Sequence, residues 1–378
     1  MNFLNPIMSS LATTAPIASN ADLNLLERMF LSARSSEYAG SHDFVFMAIM
    51  WLSIVFFLLV MGPFTYFVIK YRRKPGVAIQ RSVSHNTPLE LAWSIIPLLL
   101  LCVLFFMGFE VFISGQIAPA NAETINVRAK KWNWNFAYDN GALTDEYAEY
   151  VATDIPVFAI PAGKPIRLVM DSEDVIHSLY VPDFRKKIDI FPNRYSTMWF
   201  EASHAGERHY VFCAEYCGDQ HSQMMAILDV LSPDAYDQWK LDNVISLPDM
   251  YPADGGEFLF RSQGCNACHS IDPAKSASTG PPWWGIWGRT EALEGGGQVT
   301  VDENYVRESI YTPAAQVVLG YPNQMNSYQG LIDPDGINAI IAFMKTLSDE
   351  GQANYEAEKA AWQAAKDAAE AEEQTTEQ

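Results

Sequence analysis

The chain has 378 residues, 49% of them hydrophobic, and its 45 acidic against 25 basic residues give a formal net charge of −20. That length allows two or three domains with cores of their own, and the acidic balance argues against nucleic acid as a partner while fitting a basic one. Five cysteines are too few for a disulfide scaffold, and four of them fall in two tight pairs, Cys213/Cys217 and Cys265/Cys268. The fifth, Cys102, lies in an apolar run and reads as a packing residue.

Residues 1–40 carry no early Lys or Arg and only short apolar segments. This speaks against a cleaved signal peptide and for an extracytoplasmic arm that is partly ordered at best. Within 41–116, Phe44 to Ile69 and Leu91 to Phe109 contain no charged residue. They predict membrane spans at about 44–69 and 91–113, near the roughly 20 residues a bilayer-crossing helix requires. Between them lie Lys70, Arg72, Arg73, Lys74 and Arg81, with no acid before Glu90. The positive-inside rule makes this loop cytoplasmic, so the spans form a hairpin and everything after Ser114 lies outside, in the periplasm of a bacterium.

Residues 117–248 change texture to short strands with Gly and Pro punctuation: TINVRAKKWNWNFAY, PVFAIPAGKPIRLVM, YSTMWFEAS, RHYVFCAEYC and MAILDVL. They predict a small sandwich or barrel. Residues 249–350 turn helical and Gly-rich, with an amphipathic run at Asp335 to Leu347 presenting Ile337, Ile340, Ile341 and Met344. The tail, 351–378, is rich in Ala, Glu and Gln and reads as a solvated helix or as disorder.

The stretch Cys213 to Met224, CAEYCGDQHSQM, spaces two thiols, an imidazole and a thioether as C-x3-C-x3-H-x2-M. These soft donors suit copper; zinc has little use for the thioether, and calcium or magnesium prefers oxygen. The competing reading is a short-loop disulfide between Cys213 and Cys217 in an oxidising compartment. A two-copper site needs a second imidazole, which DSEDVIHSLYVP offers upstream at His177; His204 and His209 sit in polar sequence and read as solvated.

On these residues the chain resembles subunit II of haem-copper cytochrome c oxidases, with its dinuclear CuA centre on a cupredoxin-like domain. The resemblance implies as ligands His177, Cys213, Cys217, His221 and Met224 with the backbone carbonyl of Glu215. It also implies that the Glu215 side chain helps bind magnesium at the contact with subunit I. KKWNWNFAY resembles the family's aromatic segment, which makes Trp132 the point where electrons enter CuA; Lys131 stands where the family usually has Gln. Trp134 reads equally well as a core residue. Glu90, in HNTPLELAWSIIP, resembles a glutamate near a proton-uptake channel, although a carboxylate at a membrane interface is also simply solvated there.

The run CNACH, Cys265 to His269, is the attachment pattern of a c-type haem, with two thioether links and an imidazole on the iron. His/Met ligation raises the haem potential, which makes Met325 in GYPNQMNSYQG the candidate sixth ligand; its rival Met344 lies on an apolar helix face and reads as core. Gly256, Phe260, Phe343 and TGPPWWGIWGR are similar to class I cytochrome c. That similarity gives the Pro281 carbonyl to the His269 ring, and Trp283, Trp284 and Trp287 to the pocket wall or the small core.

The implied fold is multi-domain: a two-helix transmembrane hairpin, an all-β cupredoxin-like CuA domain and an all-α class I cytochrome c domain, as in caa-type oxidases. The implied role is electron transfer from a soluble or membrane-bound cytochrome c-type donor, or a docked donor complex, through haem c and CuA to subunit I. The bilayer and further oxidase subunits would be the other partners. The chain offers no histidine cluster for oxygen chemistry of its own. Two other readings are a CuA subunit of a nitric oxide reductase and a membrane-tethered electron carrier. A quinol oxidase subunit is excluded by Cys213 and Cys217.

Overall fold

The computed structural model describes residues 23, 25–76, 83–144, 146–150, 153–274 and 279–376. Most of the N-terminal arm and Arg81 of the basic loop lie outside the described residues. A short helix α1 (Leu25–Phe30) precedes two long ones, α2 (Glu37–Lys70) and α3 (Thr87–Gln116). Both long helices exceed the predicted spans at each end because their caps lie in the flanking polar sequence. Ser36 accepts from the Ala39 amide and Asn86 from the Leu89 amide. At 1.5 Å per residue, even the shorter of the two is about 45 Å long, more than the hydrocarbon core of a bilayer. Their apolar side chains point outward, and Cys102 is exposed on α3, so the packing role read for it is not met within this chain.

The described end of the arm is tied to the rest of the chain. Ser36 pairs with Ala202, the Ser35 amide donates to Asp183 O, and Arg185 holds Asp43 at the foot of α2 (Nε to Oδ1, 2.8 Å). Among the described residues, these contacts seat the next domain on the outer end of the hairpin.

Ten strands build that domain: β1 (Glu123–Lys130), β2 (Asn133–Ala137), β3 (Tyr147–Tyr150), β4 (Thr153–Pro161), β5 (Pro165–Ser172), β6 (His177–Val181), β7 (Lys186–Ile190), β8 (Ser196–Glu201), β9 (Arg208–Cys213) and β10 (Met225–Leu231). A four-stranded sheet runs β2-β1-β5-β8 and a six-stranded sheet runs β3-β4-β10-β9-β6-β7. The β1/β5 and β4/β10 pairs are parallel and the rest antiparallel. Alternating residues face inward, so β9 buries His209, Val211 and Cys213 and turns Arg208, Tyr210 and Phe212 outward. Phe136 of one sheet stacks on Phe158 of the other at 3.7 Å between ring centroids, fixing the sandwich. Helix α4 (Pro233–Asp242) closes one end with buried Tyr236.

This alternation corrects one reading of the sequence. His209 is fully buried, with Nδ1 2.9 Å from Asp183 Oδ2, whereas the His204 side chain is 67% exposed. Its position on an inward-facing register of β9 outweighs the polarity of its neighbours.

A second core forms around α5 (Pro252–Ser262), α6 (Glu303–Tyr311) and α7 (Pro334–Thr346). Gly256 lies where α5 crosses α7: a Cβ there would stand 2.0 Å from Ala339 O, so only glycine permits the approach. Phe260 packs between Phe343 and Trp283 at 5.7 and 4.8 Å, and Met344 is buried with them. The region is not all-α. A hairpin of β11 (Thr290–Ala292) and β12 (Gln298–Thr300) interrupts it, because the glycines at 296 and 297, with φ of +85° and +95°, supply the left-handed turn a tight hairpin needs.

The described tail takes the helical one of its two readings and is solvent-exposed along most of its length. As α8 (Asp349–Thr376) it docks on the start of α5, with Tyr355 and Trp362 both edge-on to Tyr251 and Lys359 2.7 Å from Asp254. The overlooked signal was that pair of aromatics seven residues apart on one helical face.

Candidate metal centre

The copper-type donors come from three places in the sandwich. His177 opens β6, Cys213 closes β9, and the loop from Cys213 to β10 carries Cys217, His221 and Met224. Ligand-capable atoms of His177, Cys213 and Cys217 lie within 4.8 Å of one another. Cys213 Sγ is 3.8 Å from His177 Nδ1, 3.8 Å from Cys217 Sγ and 3.3 Å from Glu215 O. Cys217 Sγ is 3.5 Å from His221 Nδ1 and 3.8 Å from Met224 Sδ. Both sulfurs are free, and their separation is nearly twice a disulfide bond. A disulfide would not need two imidazoles, a thioether and a carbonyl turned toward it, whereas a pair of soft metal ions would.

Most of the same residues are buried, and the two thiols share a proton. His177 and Met224 are fully buried and Cys217 nearly so. A hydrogen bond from the Cys217 thiol holds Cys213 well below the usual thiol range, and the shared proton in turn pushes Cys217 up. Burial disfavours charge on His177, but hydrogen bonds with Asp174 and Cys213 outweigh it and raise its pKa. Asp174 Oδ1 lies 2.9 Å from His177 Nε2, so the Nε2 proton goes to the carboxylate and the Nδ1 lone pair faces the sulfurs. Nothing in the sequence reading singled out Asp174; its place three residues before a predicted ligand was the available signal.

Glu215 and Tyr216 are exposed at the tip of this loop. Trp132 is buried, and its Nε1 donates to Cys217 O at 3.3 Å. Trp134 is also buried and meets the His177 ring edge-on at 6.1 Å. Glu90 caps α3, accepting from the Asn86 amide at 2.9 Å.

The second cysteine pair lines a cleft, partly open to solvent, together with His269, Pro281, Trp283, Met325 and Trp132. His269 Nδ1 is 2.8 Å from Pro281 O, and its ring presses on Gly280, where a Cβ would stand 2.6 Å from the imidazole. Burial pushes Cys265 and Cys268 up to about 11 and about 12 and pulls His269 down, which leaves neutral thiols and a neutral imidazole. Two thiols, an oriented imidazole and a thioether on the walls of one apolar cleft are a donor set that fits a c-type haem.

Residues 23–111 match the family described as Cytochrome C oxidase subunit II, transmembrane domain, and residues 124–231 its periplasmic domain. A cytochrome c oxidase subunit 2 from Alkalihalophilus pseudofirmus is 30% identical over 305 residues, spanning 77% of this chain and 82% of the relative. This chain belongs to the cytochrome c oxidase subunit II family. A second relative of the same name, from Cereibacter sphaeroides, is 28% identical and spans 61% of this chain and 86% of its own length. Among solved structures, the periplasmic domain of subunit II of cytochrome oxidase from Bradyrhizobium japonicum is 29% identical, with a TM-score of 0.31, over 34% of this chain and 96% of that one. The family carries copper as CuA, and this subunit is part of a haem-copper oxidase. It is an inner-membrane protein, anchored by α2 and α3, with a periplasmic domain.

Proposed function

We propose that the chain is the electron-accepting subunit of a caa-type oxidase: electrons from a cytochrome c-type donor reach haem c, pass to CuA, and leave for subunit I, where oxygen is reduced to water and protons are translocated. The domains are then the arm at 1–40, the membrane hairpin at 41–116, the CuA domain at 117–248, a cytochrome c domain at 249–350 and the tail. The observation that carries this reading is the convergence of His177, Cys213, Cys217, His221, Met224 and the Glu215 carbonyl on one buried sulfur pair.

When bound, the copper pair and the haem each supply a one-electron relay. This chain's part is to hold that relay still. Cys213 and Cys217 would hold the copper pair together with the buried His177 and Met224, which exclude water, and Asp174 would keep His177 from turning as charge changes, so that reorganisation stays small. Cys265 and Cys268 would anchor the haem, with His269 and Met325 on its iron and Pro281 orienting the imidazole. Trp132 stands between that cleft and the Cys217 carbonyl, at the place expected for electrons to enter the copper site.

The exposed Glu215 carboxylate would give magnesium one oxygen, the rest of its six coming from water and from subunit I. Glu90, which caps α3 on the cytoplasmic side, is placed to meet protons entering there. The oxidase reading is favoured over a nitric oxide reductase or a free-standing carrier because the named relatives are cytochrome c oxidase subunits. Replacing His177 by Ala should abolish the near-infrared CuA band of the purified complex while the haem c spectrum persists. A band of unchanged intensity would overturn the ligand assignment.

A further inference from the structure

Three hydrogen bonds cross from the copper site to the walls of the haem cleft, two from the copper loop and one from Asp174 ahead of His177, and each is made beside a candidate ligand or the group that orients one. Asn326, next to Met325, donates to Asp174 Oδ2 at 3.3 Å, while Oδ1 of the same carboxylate faces His177 Nε2 at 2.9 Å. Gln324, on the other side of Met325, donates to Asp219 Oδ2 at 3.2 Å. Gln220, next to His221, donates to Thr279 Oγ1 at 3.1 Å, two residues before the carbonyl of Pro281 that holds His269. Within this ring Trp132 donates to Cys217 O and also lines the haem cleft.

The only covalent connection between the two cores is the segment between α4 and α5, residues 243–251. That segment carries a helical turn at Leu247–Asp249 and a bridge from Val244 to Ala142, so loss of the clasp would let the domain shift on the copper loop rather than detach. Electron transfer between fixed centres is sensitive to such displacement. These neutral amides on ligand-flanking positions set the register beside the two candidate centres, while a second group of contacts farther out, Lys130 to Gln263 at 2.9 Å, Asn133 to the Arg261 and Ser262 carbonyls and Arg261 to Asp154, holds the domains together.

We propose that Asn326, Gln324 and Gln220 are positioning residues for haem-to-copper transfer, clasping the fused domain onto the copper loop so that transfer occurs in one seated register. Asp174 is the shared anchor, joining the loop of the sixth haem ligand to the orientation of a copper ligand. This inference rests on reading Cys265 to Met325 as a haem site.

The test uses the purified full oxidase complex with Gln220→Ala and Asn326→Ala combined. The copper and haem spectra should be unchanged, while amide hydrogen exchange at 218–220 and 323–326 accelerates. Haem-to-copper transfer after photoreduction should slow on the order of tenfold, as misplacement of reacting centres does, and become dependent on solvent viscosity. In a second arm, Gln324→Glu sets a carboxylate against Asp219 and should slow transfer, and adding Asp219→Asn should restore it. Unchanged exchange and viscosity-independent transfer in the double variant, or failure of Asp219→Asn to rescue, overturns the clasp. Absence of covalent haem from the wild-type chain, read by its alkaline pyridine spectrum, would instead overturn the haem site itself, and the clasp with it.

Discussion

At the scale of single residues, the site depends on groups whose neighbours set their state. Cys213 and His269 are shifted down, toward the thiolate and the neutral imidazole that ligation uses, whereas Cys217 and His177 are shifted up and would give up a proton when a metal binds. Lys186 shows the same physics away from the metals. It lies almost wholly buried where the periplasmic domain meets the hairpin, donating to Gly115 O at 3.0 Å with its ammonium 3.7 Å from the Tyr38 ring centre. Burial pushes its pKa down to about 8. The unfolded chain then binds the proton more tightly than the folded one between that value and the ordinary lysine value near 10.4. Stability therefore rises with pH across that window and is lowest below it. Replacing Lys186 by Met should remove that rise, by about 3 kcal/mol at most. Thermal unfolding of wild type and variant between pH 7 and pH 11 gives the comparison, since the difference cancels the other titrating groups.

At the scale of elements, crossings and turns decide which side chains meet. The α5/α7 contact requires a residue without Cβ, since Ala339 O occupies the place a methyl at position 256 would take. Gly256→Ala should drive the helices apart and destabilise the domain by about 3 kcal/mol, the upper range for overpacking. The expected readout is a lowered unfolding midpoint for the haem absorbance with the CuA band untouched, because the two cores are separate clusters. A midpoint within a degree of wild type would show that α5 and α7 slide past each other freely. Helix α8 behaves as an element for the same reason: Tyr355 and Trp362 recur on one face and find Tyr251.

For the whole molecule, charge and connectivity set how electrons arrive. The net charge of −20 makes approach of a basic donor an electrostatically steered step. Raising ionic strength from about 10 mM to about 150 mM shortens the screening length from roughly 30 to 8 Å. Reduction of the complex by a basic cytochrome should therefore slow on the order of tenfold. Transfer inside the clasped chain should barely change, and stopped-flow traces with a basic and with a neutral reductant separate the two. Equal salt dependence for both reductants would show that steering plays no part. The acidic tail, with seven acidic and two basic residues from 351 to 378, contributes to this field while docked against α5.

Much of this was legible in the sequence because it depends on local spacing. Uncharged runs of membrane length, period-two strands, C-x3-C-x3-H-x2-M and CNACH each encode their structure within a few turns of chain. The hairpin, the sandwich and the soft-donor loop all follow from such short-range patterns. The β11/β12 hairpin was also written locally, in three successive glycines, but was hidden by the helical texture around it. What the chain alone could not reveal are pairings between residues far apart in number. The burial of His209 against Asp183, the contact of Asp174 with Asn326, and the passage of Trp132 from the Cys217 carbonyl to the cleft of the second cysteine pair are of this kind, whereas the hold of Asp174 on His177 spans only three residues. Donor types and their spacing are written in short stretches of chain, so the sequence by itself determined which soft donors the loop offers. Whether they converge on one buried point, and how one core is seated on the other, depends on strand register and on contacts such as Asp174 to Asn326, 152 residues apart, and only the tertiary structure decided that.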